Sequence, residues 1–386
     1  MPTLRKSDSA TAFQMERPLA RIGVMTNATS QLNELPPPIR TREDWSRGSL
    51  EQRLELRPLW IGPVEVGFPV VQAALSGYSD GPMRIIARRL GAPYTLAEVM
   101  IDRFVIELKN RNRMRHHLLI TKEEHPVGGQ LMGSDPADFG PAAQRLVEAG
   151  FDVIDINFGC PVKTAVGGCR GGYHLSQPDV ALEIVSRVRE AVPAQIPVTL
   201  KMRRGMDDSD ESRERFYRIL DGAFARGAAA ITVHGRTVEQ KYVGPSNWDF
   251  LREVKQHSGS KTIIGSGDAF TAQACLEMLS YTGVDGVSVA RGAIGNPWIF
   301  EQARALAAGL PLPIPDLEEQ RRVMKMQCEL CLQVDDEAGA NSTMRMFAIK
   351  FARLHPQHVE VRNAFAKCRS LGEWRELLDR WYSVTV

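Results

Sequence analysis

The chain has 386 residues, of which 43% are hydrophobic and 24% charged, with a formal net charge of +2 and six cysteines. That balance is close to the soluble globular average and excludes a disordered, collagen-like or disulfide-stapled chain. No apolar run approaches the ~20 residues that cross a bilayer, and a near-neutral chain has no global field for a polyanion, so nucleic-acid binding has to come from local clusters.

Residues 1–64 contain the Pro-rich run Leu35-Pro36-Pro37-Pro38 and scattered apolar residues without a sustained period. They read as a mobile N-terminal extension, with at most one short helical turn over Glu51–Trp60. The opening MPTLRKSDSA is charged and has no apolar stretch, so no secretory signal is expected. Reduced thiols in a cytoplasmic setting are the default.

From residue 66 a regular pattern begins. Short apolar runs at Pro69-Val70-Val71, Tyr94-Thr95-Leu96, Val127 to Met132, Val153 to Phe158, Pro197 to Met202, Ala230 to Val233, Thr262-Ile263-Ile264 and Gly286 to Val289 predict eight strands. Amphipathic segments between them predict helices over Pro82–Leu90, Asp102–Arg113, Ala137–Ala149, Val180–Val192, Ser212–Ala225, Trp248–His257, Ala272–Leu279 and Pro297–Ala308. Continuous apolar strands alternating with helices predict an α/β protein with a parallel sheet covered on both faces. Eight such units match a (β/α)₈ TIM barrel in count and length. The alternative, a doubly wound sheet, usually carries a glycine-rich turn after its first strand, and Gln72-Ala73-Ala74-Leu75-Ser76-Gly77 is not that motif. The barrel is assigned to residues 65–309. Prolines at 311, 313 and 315 mark a linker, and residues 310–386 read as a small C-terminal helical bundle.

A barrel of this kind carries its chemistry at the C-terminal ends of its strands. Those ends hold Gln130, Asn157, Cys160, Lys201, Arg203, His234, Arg236, the run Gly265-Ser266-Gly267-Asp268, and Ala290-Arg291-Gly292. The last two loops read together as a phosphate cradle with one cation, because small residues let backbone N–H groups approach an anion; two ordinary glycine turns are the plainer reading. Alternation can aim Lys201 into the mouth, where an ammonium stabilises negative charge, or leave it in solvent. Cys160 suits a nucleophile, a proton donor or a small packing residue. His234 suits a ligand contact or a satisfied core histidine. Cys328 and Cys331 form a C-x-x-C within a helical segment; a structural zinc needs four ligands and no second pair exists, so helix packing is expected and no metal site. Two basic clusters remain, Lys109 to His117 and a stretch over 345–369 with Arg345, Lys350, Arg353, Arg362, Lys367 and Arg369 interleaved with Phe347, Phe351 and Phe365. The second suits RNA phosphates or is a solvated helix face.

These strings resemble the tRNA-dihydrouridine synthase family. Asp155-Ile156-Asn157-Phe158-Gly159-Cys160-Pro161-Val162-Lys163 is similar to its D-I-N-x-G-C-P-x-K signature, and Val233-His234-Gly235-Arg236-Thr237 with Gln240, Tyr242 and Gly244 to another. Gln130-Leu131-Met132-Gly133-Ser134, Glu98-Val99-Met100 and the run Ala290 to Phe300 resemble further family strings. The resemblance covers about residues 62–309.

It implies a flavoprotein that uses FMN, takes reducing equivalents from NADPH or NADH, and reduces uridine to 5,6-dihydrouridine in tRNA. By position it implies Cys160 as the acid that protonates C5. It implies FMN contacts from Ala74, Leu75 and Ser76 at the first strand end, from Gln130, Lys201 and His234 to ring or ribityl chain, and from Ser266, Gly267, Asp268, Ala290 and Arg291 to the phosphate. Asn157 and Arg236 would contact uracil or flavin, and the bundle would grip tRNA. No membrane and no obligate protein partner are implied.

The chain departs from the family after its first strand, with Ala73-Ala74-Leu75-Ser76-Gly77, and after Cys160, with Cys169-Arg170-Gly171-Gly172-Tyr173-His174-Leu175 where small residues are usual. Tyr173 and His174 are expected to narrow the pocket, and Cys169 could share proton donation or bond to Cys160. Competing readings are an FMN-dependent reductase of a free pyrimidine, and a non-catalytic FMN-containing RNA-binding protein.

Overall fold

Eight parallel strands close into a barrel in the computed structural model, which describes residues 56–108 and 117–383. The strands are β3 (Val70–Gln72), β4 (Thr95–Leu96), β6 (Val127–Met132), β7 (Val153–Phe158), β8 (Val198–Arg203), β9 (Ala230–His234), β10 (Thr262–Ser266) and β11 (Gly286–Val289). Closure comes from β3, which pairs with β4 on one side and β11 on the other, and from the β4–β6 pairing. The strand between is interrupted. Its second piece, β5 (Met100–Ile101), pairs with the upper half of β6, and residues 97–99 bulge out between the two pieces.

The period of two explains the interior. On β7, Ile154, Ile156 and Phe158 face outward into the helical layer, while Val153, Asp155 and Asn157 face inward. On β8, Val198, Leu200 and Met202 face outward, and Thr199, Lys201 and Arg203 share the other face. The inner face therefore runs from apolar at the N-terminal end of the strands to polar at the C-terminal end. That gradient places a polar mouth on an otherwise sealed barrel.

The N-terminal end is plugged by a hairpin that sequence periodicity does not reveal. β1 (Leu59–Ile61) and β2 (Val64–Gly67) pair antiparallel. Leu59, Ile61 and Val66 pack with Val71, Tyr94, Leu96, Val153, Ala230 and Ile264. The boundary expected at 64 thus falls inside an ordered element; of the Glu51–Trp60 segment, Leu59 and Trp60 are strand and residues 51–55 lie outside the described residues. All of residues 1–55 lie outside the described residues, as do residues 109–116 of the first basic cluster.

The barrel helices are α1 (Gly81–Arg89), α2 (Asp102–Glu107), α3 (Pro136–Ala149), the short α4 (Lys163–Val166), α5 (Pro178–Ala191), α6 (Asp210–Ala225), α7 (Trp248–Ser258), α8 (Ala272–Thr282) and α9 (Ile299–Ala307). Their starts follow capping chemistry: Asp80, Ser209, Asn247 and Thr271 each accept a backbone N–H of the first turn. After the proline-rich link, Asp316 caps α10 (Leu317–Val334), followed by α11 (Glu337–Phe351), α12 (His358–Lys367) and α13 (Leu371–Trp381). This bundle packs on α1 and on the loops after β3 and β11. Cys328 and Cys331 are buried on α10, with the Cys331 thiol 3.9 Å from Met344 Sδ, as helix packing requires. Among the described residues no helix is long and apolar enough to cross a membrane.

Leu59 is 1% exposed in the plug. Leu59→Ala is expected to cost about 2–5 kcal/mol of stability, the range for an unfilled core cavity, measurable by urea denaturation.

Candidate active site

A belt of hydrogen bonds lies beneath the mouth. Thr199 Oγ1 donates to Asp155 Oδ1 at 2.5 Å and Gln130 Nε2 to Asp155 Oδ2 at 2.6 Å. Asn157 Nδ2 donates to Gln130 Oε1 at 2.7 Å. Asn157 Oδ1 then accepts the backbone N–H groups of Gly159 at 2.9 Å and Cys160 at 3.0 Å. Burial pushes the Asp155 carboxyl up, and the bonds from Thr199 and Gln130 oppose that shift. The belt leaves one Nδ2 hydrogen of Asn157 and one Nε2 hydrogen of Gln130 for a ligand.

Cys160 stands above this belt, half-buried, with a free thiol. Burial raises its pKa, while the Val162 N–H, Lys201 and Arg203 pull it down. The thiol is therefore protonated at neutral pH and has cations at hand for the thiolate. The loop after it folds back onto it. Gly172 donates its N–H to the Cys160 carbonyl at 3.0 Å, and a Cβ at Gly171 would lie 2.8 Å from Cys160 Cβ. His174 does not narrow the mouth as expected. His174 is 1% exposed, packs on outward-facing Phe158 with ring centroids 5.0 Å apart, and its Nε2 lies 2.9 Å from the Gly133 carbonyl. Cys169 is an exposed free thiol.

Cations crowd the other side. Burial, then the Arg203 charge, lowers the Lys201 pKa to about 8. Arg203 is buried; its Nε donates to the Gly159 carbonyl at 2.9 Å and its Nη1 to the carbonyls of Thr237 and Lys241 at 2.8 and 2.7 Å. His234 is held neutral, its pKa driven well down by burial and then by Arg203, Lys201, Arg236 and Arg291. Its Nδ1 accepts the Arg236 N–H at 3.1 Å, so the proton sits on Nε2 and can be donated.

Arg236 does not reach freely into the mouth. Its Nη2 donates to both Asp268 oxygens, at 2.7 and 2.9 Å, and its Nε to the Gly244 carbonyl at 2.9 Å. Asp268 also accepts the Ser246 N–H at 2.7 Å. The carboxylate of Asp268 is thus committed to the protein, leaving its backbone to face a ligand. Ser266 and Ser288 pair across β10 and β11, so the loops that follow are neighbours. They touch: a Cβ at Gly292 would sit 2.3 Å from the Ala269 carbonyl oxygen. Arg291 lies over Phe270 and Tyr242, 4.7 and 4.9 Å from the ring centroids. Ala74 and Leu75 are half-buried and Ser76 exposed at the end of β3, which neighbours β11.

A family profile described as dihydrouridine synthase matches residues 71–384. This chain belongs to the dihydrouridine synthase family. It is 33% identical over 305 residues to tRNA-dihydrouridine synthase B of Xanthomonas campestris pv. campestris, covering 78% of this chain and 89% of that protein. It is 32% identical over 330 residues to tRNA-dihydrouridine synthase B of Pseudomonas aeruginosa, covering 81% and 97%. Among solved structures, histamine dehydrogenase from Rhizobium sp. 4-9 shares the fold with a TM-score of 0.52 at 15% identity, covering 72% of this chain and 51% of that one.

Within this family's frame, the structure gathers Gln130, Asn157, Cys160, Lys201, His234, Arg236, Ser266, Gly267, Asp268, Ala290 and Arg291 on one barrel mouth, with Ala74 to Ser76 at its edge. Sequence reasoning gave no role to Arg203, although its spacing from Lys201 puts both on one strand face. The basic stretch of the bundle divides. Arg345, Lys367 and Arg369 face solvent, and Arg353, also exposed, reaches the barrel with its Nη2. Phe347, Phe351 and Phe365 are buried core residues rather than platforms for bases.

Exposure and thiol protonation predict an order of reactivity. At pH 7 iodoacetamide is expected to label Cys169 well before Cys160, read by peptide mass spectrometry.

Proposed function

We propose that this enzyme reduces uridine to 5,6-dihydrouridine in tRNA, with FMN at the barrel mouth and NADPH or NADH as reductant. The observation that carries the reading is a protonated Cys160 sharing one mouth with four cations that converge on a neutral, buried His234. Family membership supplies the reaction class, and the curated relatives carry tRNA-dihydrouridine synthase in their names.

The residues present fit the cofactor. Asp155 and Asp268 are engaged within the protein, so Lys201, Arg203 and Arg291 leave surplus positive charge, complementary to a phosphate and an electron-rich ring. Gly267, at φ 112°, takes a backbone conformation that side chains disfavour, beside Arg291-Gly292. The backbones of Ser266, Gly267, Asp268 and Ala290, with the Arg291 side chain, would hold the phosphate. Lys201, His234 and Gln130 would hold ring and ribityl chain, and Ala74, Leu75 and Ser76 would border the ring. FMN held there would supply hydride chemistry toward uracil C6, with NADPH or NADH as the source of reducing equivalents.

Cys160 then does the protein's share. Its S–H bond breaks, the proton forms the new bond at C5, and the electron pair stays on sulfur as a thiolate beside Lys201 and Arg203; water restores the proton. The free Nδ2–H of Asn157 and the Nη2 of Arg203 are the donors for uracil carbonyl oxygens. The target uridine has to leave its stack to reach this depth. Arg345, Lys367 and Arg369 supply exposed charge for RNA phosphates.

The test uses tRNA from a strain lacking dihydrouridine, NADPH and nucleoside mass spectrometry. Wild type is expected to make dihydrouridine, and Cys160→Ala to lose about 10²–10⁴-fold in rate, with Cys169→Ala near wild type. The opposite pattern would reassign the acid. Lys201 is cationic below its pKa of about 8, so kcat/KM is expected to fall as pH rises through that value. Lys201→Arg should move the limb upward; an unshifted limb would detach it from Lys201.

A further inference from the structure

Two loops border the seam between β3 and β11, and both end on one helix of the bundle. In the loop after β3, Tyr78 meets Phe347 of α11 edge-on, with ring centroids 5.6 Å apart. In the loop after β11, Arg353, just past α11, donates from Nη2 to the Gly292 carbonyl at 2.8 Å. Three residues on, Gly295 has φ +74°, and a Cβ there would sit 2.4 Å from the carbonyl carbon and oxygen of Lys350. Trp298 then stacks edge-on against Phe351 at 5.9 Å, and its Nε1 donates to Glu319 of α10 at 3.2 Å.

This arrangement is more than a domain contact. Residues 291–295 have turn structure only, so no helix or strand ladder fixes their amide groups. Gly292 directly follows Arg291, and its carbonyl is held by a residue 61 positions later in the chain. A backbone without regular structure holds a fixed conformation only where its polar groups have partners. Within this loop the Ala293 N–H bonds the Ala290 carbonyl at 3.1 Å and the Asn296 N–H the Ala293 carbonyl at 3.2 Å, and the Gly292 carbonyl takes its partner from the bundle. On the opposite flank of the seam, Ser79 bridges Leu75 N–H at 2.8 Å and the Leu75 carbonyl at 3.2 Å, and Tyr78 anchors that loop to the same helix.

We propose that α11 is a structural part of the cofactor site, with Arg353 as the residue that positions the 290–296 loop for the flavin phosphate. The helical bundle then governs flavin retention in addition to facing RNA. This inference rests on the FMN reading above.

The test uses full-length protein stripped of flavin. FMN affinity is read by quenching of flavin fluorescence, and RNA affinity by filter binding of an unmodified tRNA transcript. Arg353→Ala is expected to raise the FMN Kd about five- to tenfold, the scale of one net hydrogen bond, with RNA affinity within about twofold of wild type. Arg353→Lys should recover part of the loss. If Arg353→Ala lowers the melting midpoint, Arg353→Met, which keeps the apolar stem, decides. An unchanged FMN Kd in a wild type that binds FMN would overturn this inference alone, as would a loss of RNA affinity equal to the loss of FMN affinity. A wild type that binds no FMN would overturn the cofactor reading and this inference together.

Discussion

A carboxyl group inside a barrel has to be hydrogen-bonded, because an unpaired one is far more costly to bury than any single packing contact repays. Asp155 is that group. Satisfying it takes Thr199 from β8 and Gln130 from β6, so three adjacent strands are tied at one level. Gln130 is then oriented, its carbonyl oxygen faces Asn157, and Asn157 turns its own oxygen to the N–H groups of Gly159 and Cys160. Each step uses a donor or acceptor that the previous step leaves over. The position of Cys160 therefore follows from a buried network, which is rigid when complete.

The charges above that network act on several groups at once. Burial and then the Arg203 charge lower the Lys201 pKa, burial with Arg236 and Arg291 lowers that of Arg203, and burial with all four cations keeps His234 neutral. Lys201 and Arg203 also favour the thiolate of Cys160, against a burial that favours the thiol. The Arg236–Asp268 pair removes one charge of each sign from the mouth, and with Ser246 it locks the loop after β9 to the loop after β10. What remains is a surplus of cations with few carboxylates free to answer them, a field complementary to an anion.

Much of this was legible in the sequence, for identifiable reasons. Strands such as Val153 to Phe158 announce themselves because outward positions are uniformly apolar while inward ones turn polar only near the mouth. The residue types at strand ends then mark the site. The plug at Leu59–Gly67 was hidden because three- and four-residue strands carry too few positions to show a period. The pairing of Arg236 with Asp268 was hidden because it joins positions 32 residues apart and depends on the closure of the barrel. The aromatic residues of the bundle misled for a different reason. Phe347, Phe351 and Phe365 alternate with cations, and such alternation is produced equally by an RNA platform and by an amphipathic helix burying its rings. Only burial separates the two.

The loop after Cys160 shows how a departure from a family pattern is absorbed. Large side chains at 173 and 174 would fill the pocket if they stood against the thiol. The residues that do stand there are Gly171 and Gly172, and the space for even one Cβ at Gly171 is already taken by Cys160 and Met132 Sδ, 2.8 and 3.0 Å away. His174 comes three residues after that contact. It lies against Phe158, whose place in the strand alternation puts it on the outer face of β7, next to the helices. There burial holds the imidazole neutral and its ring nitrogen meets the Gly133 carbonyl. The bulk of His174 is thus added behind the strand that carries Cys160, while Gly171 and Gly172 lie against Cys160 itself. A substitution pattern that reads as obstruction in one dimension becomes, after folding, support for the wall that holds the thiol in place.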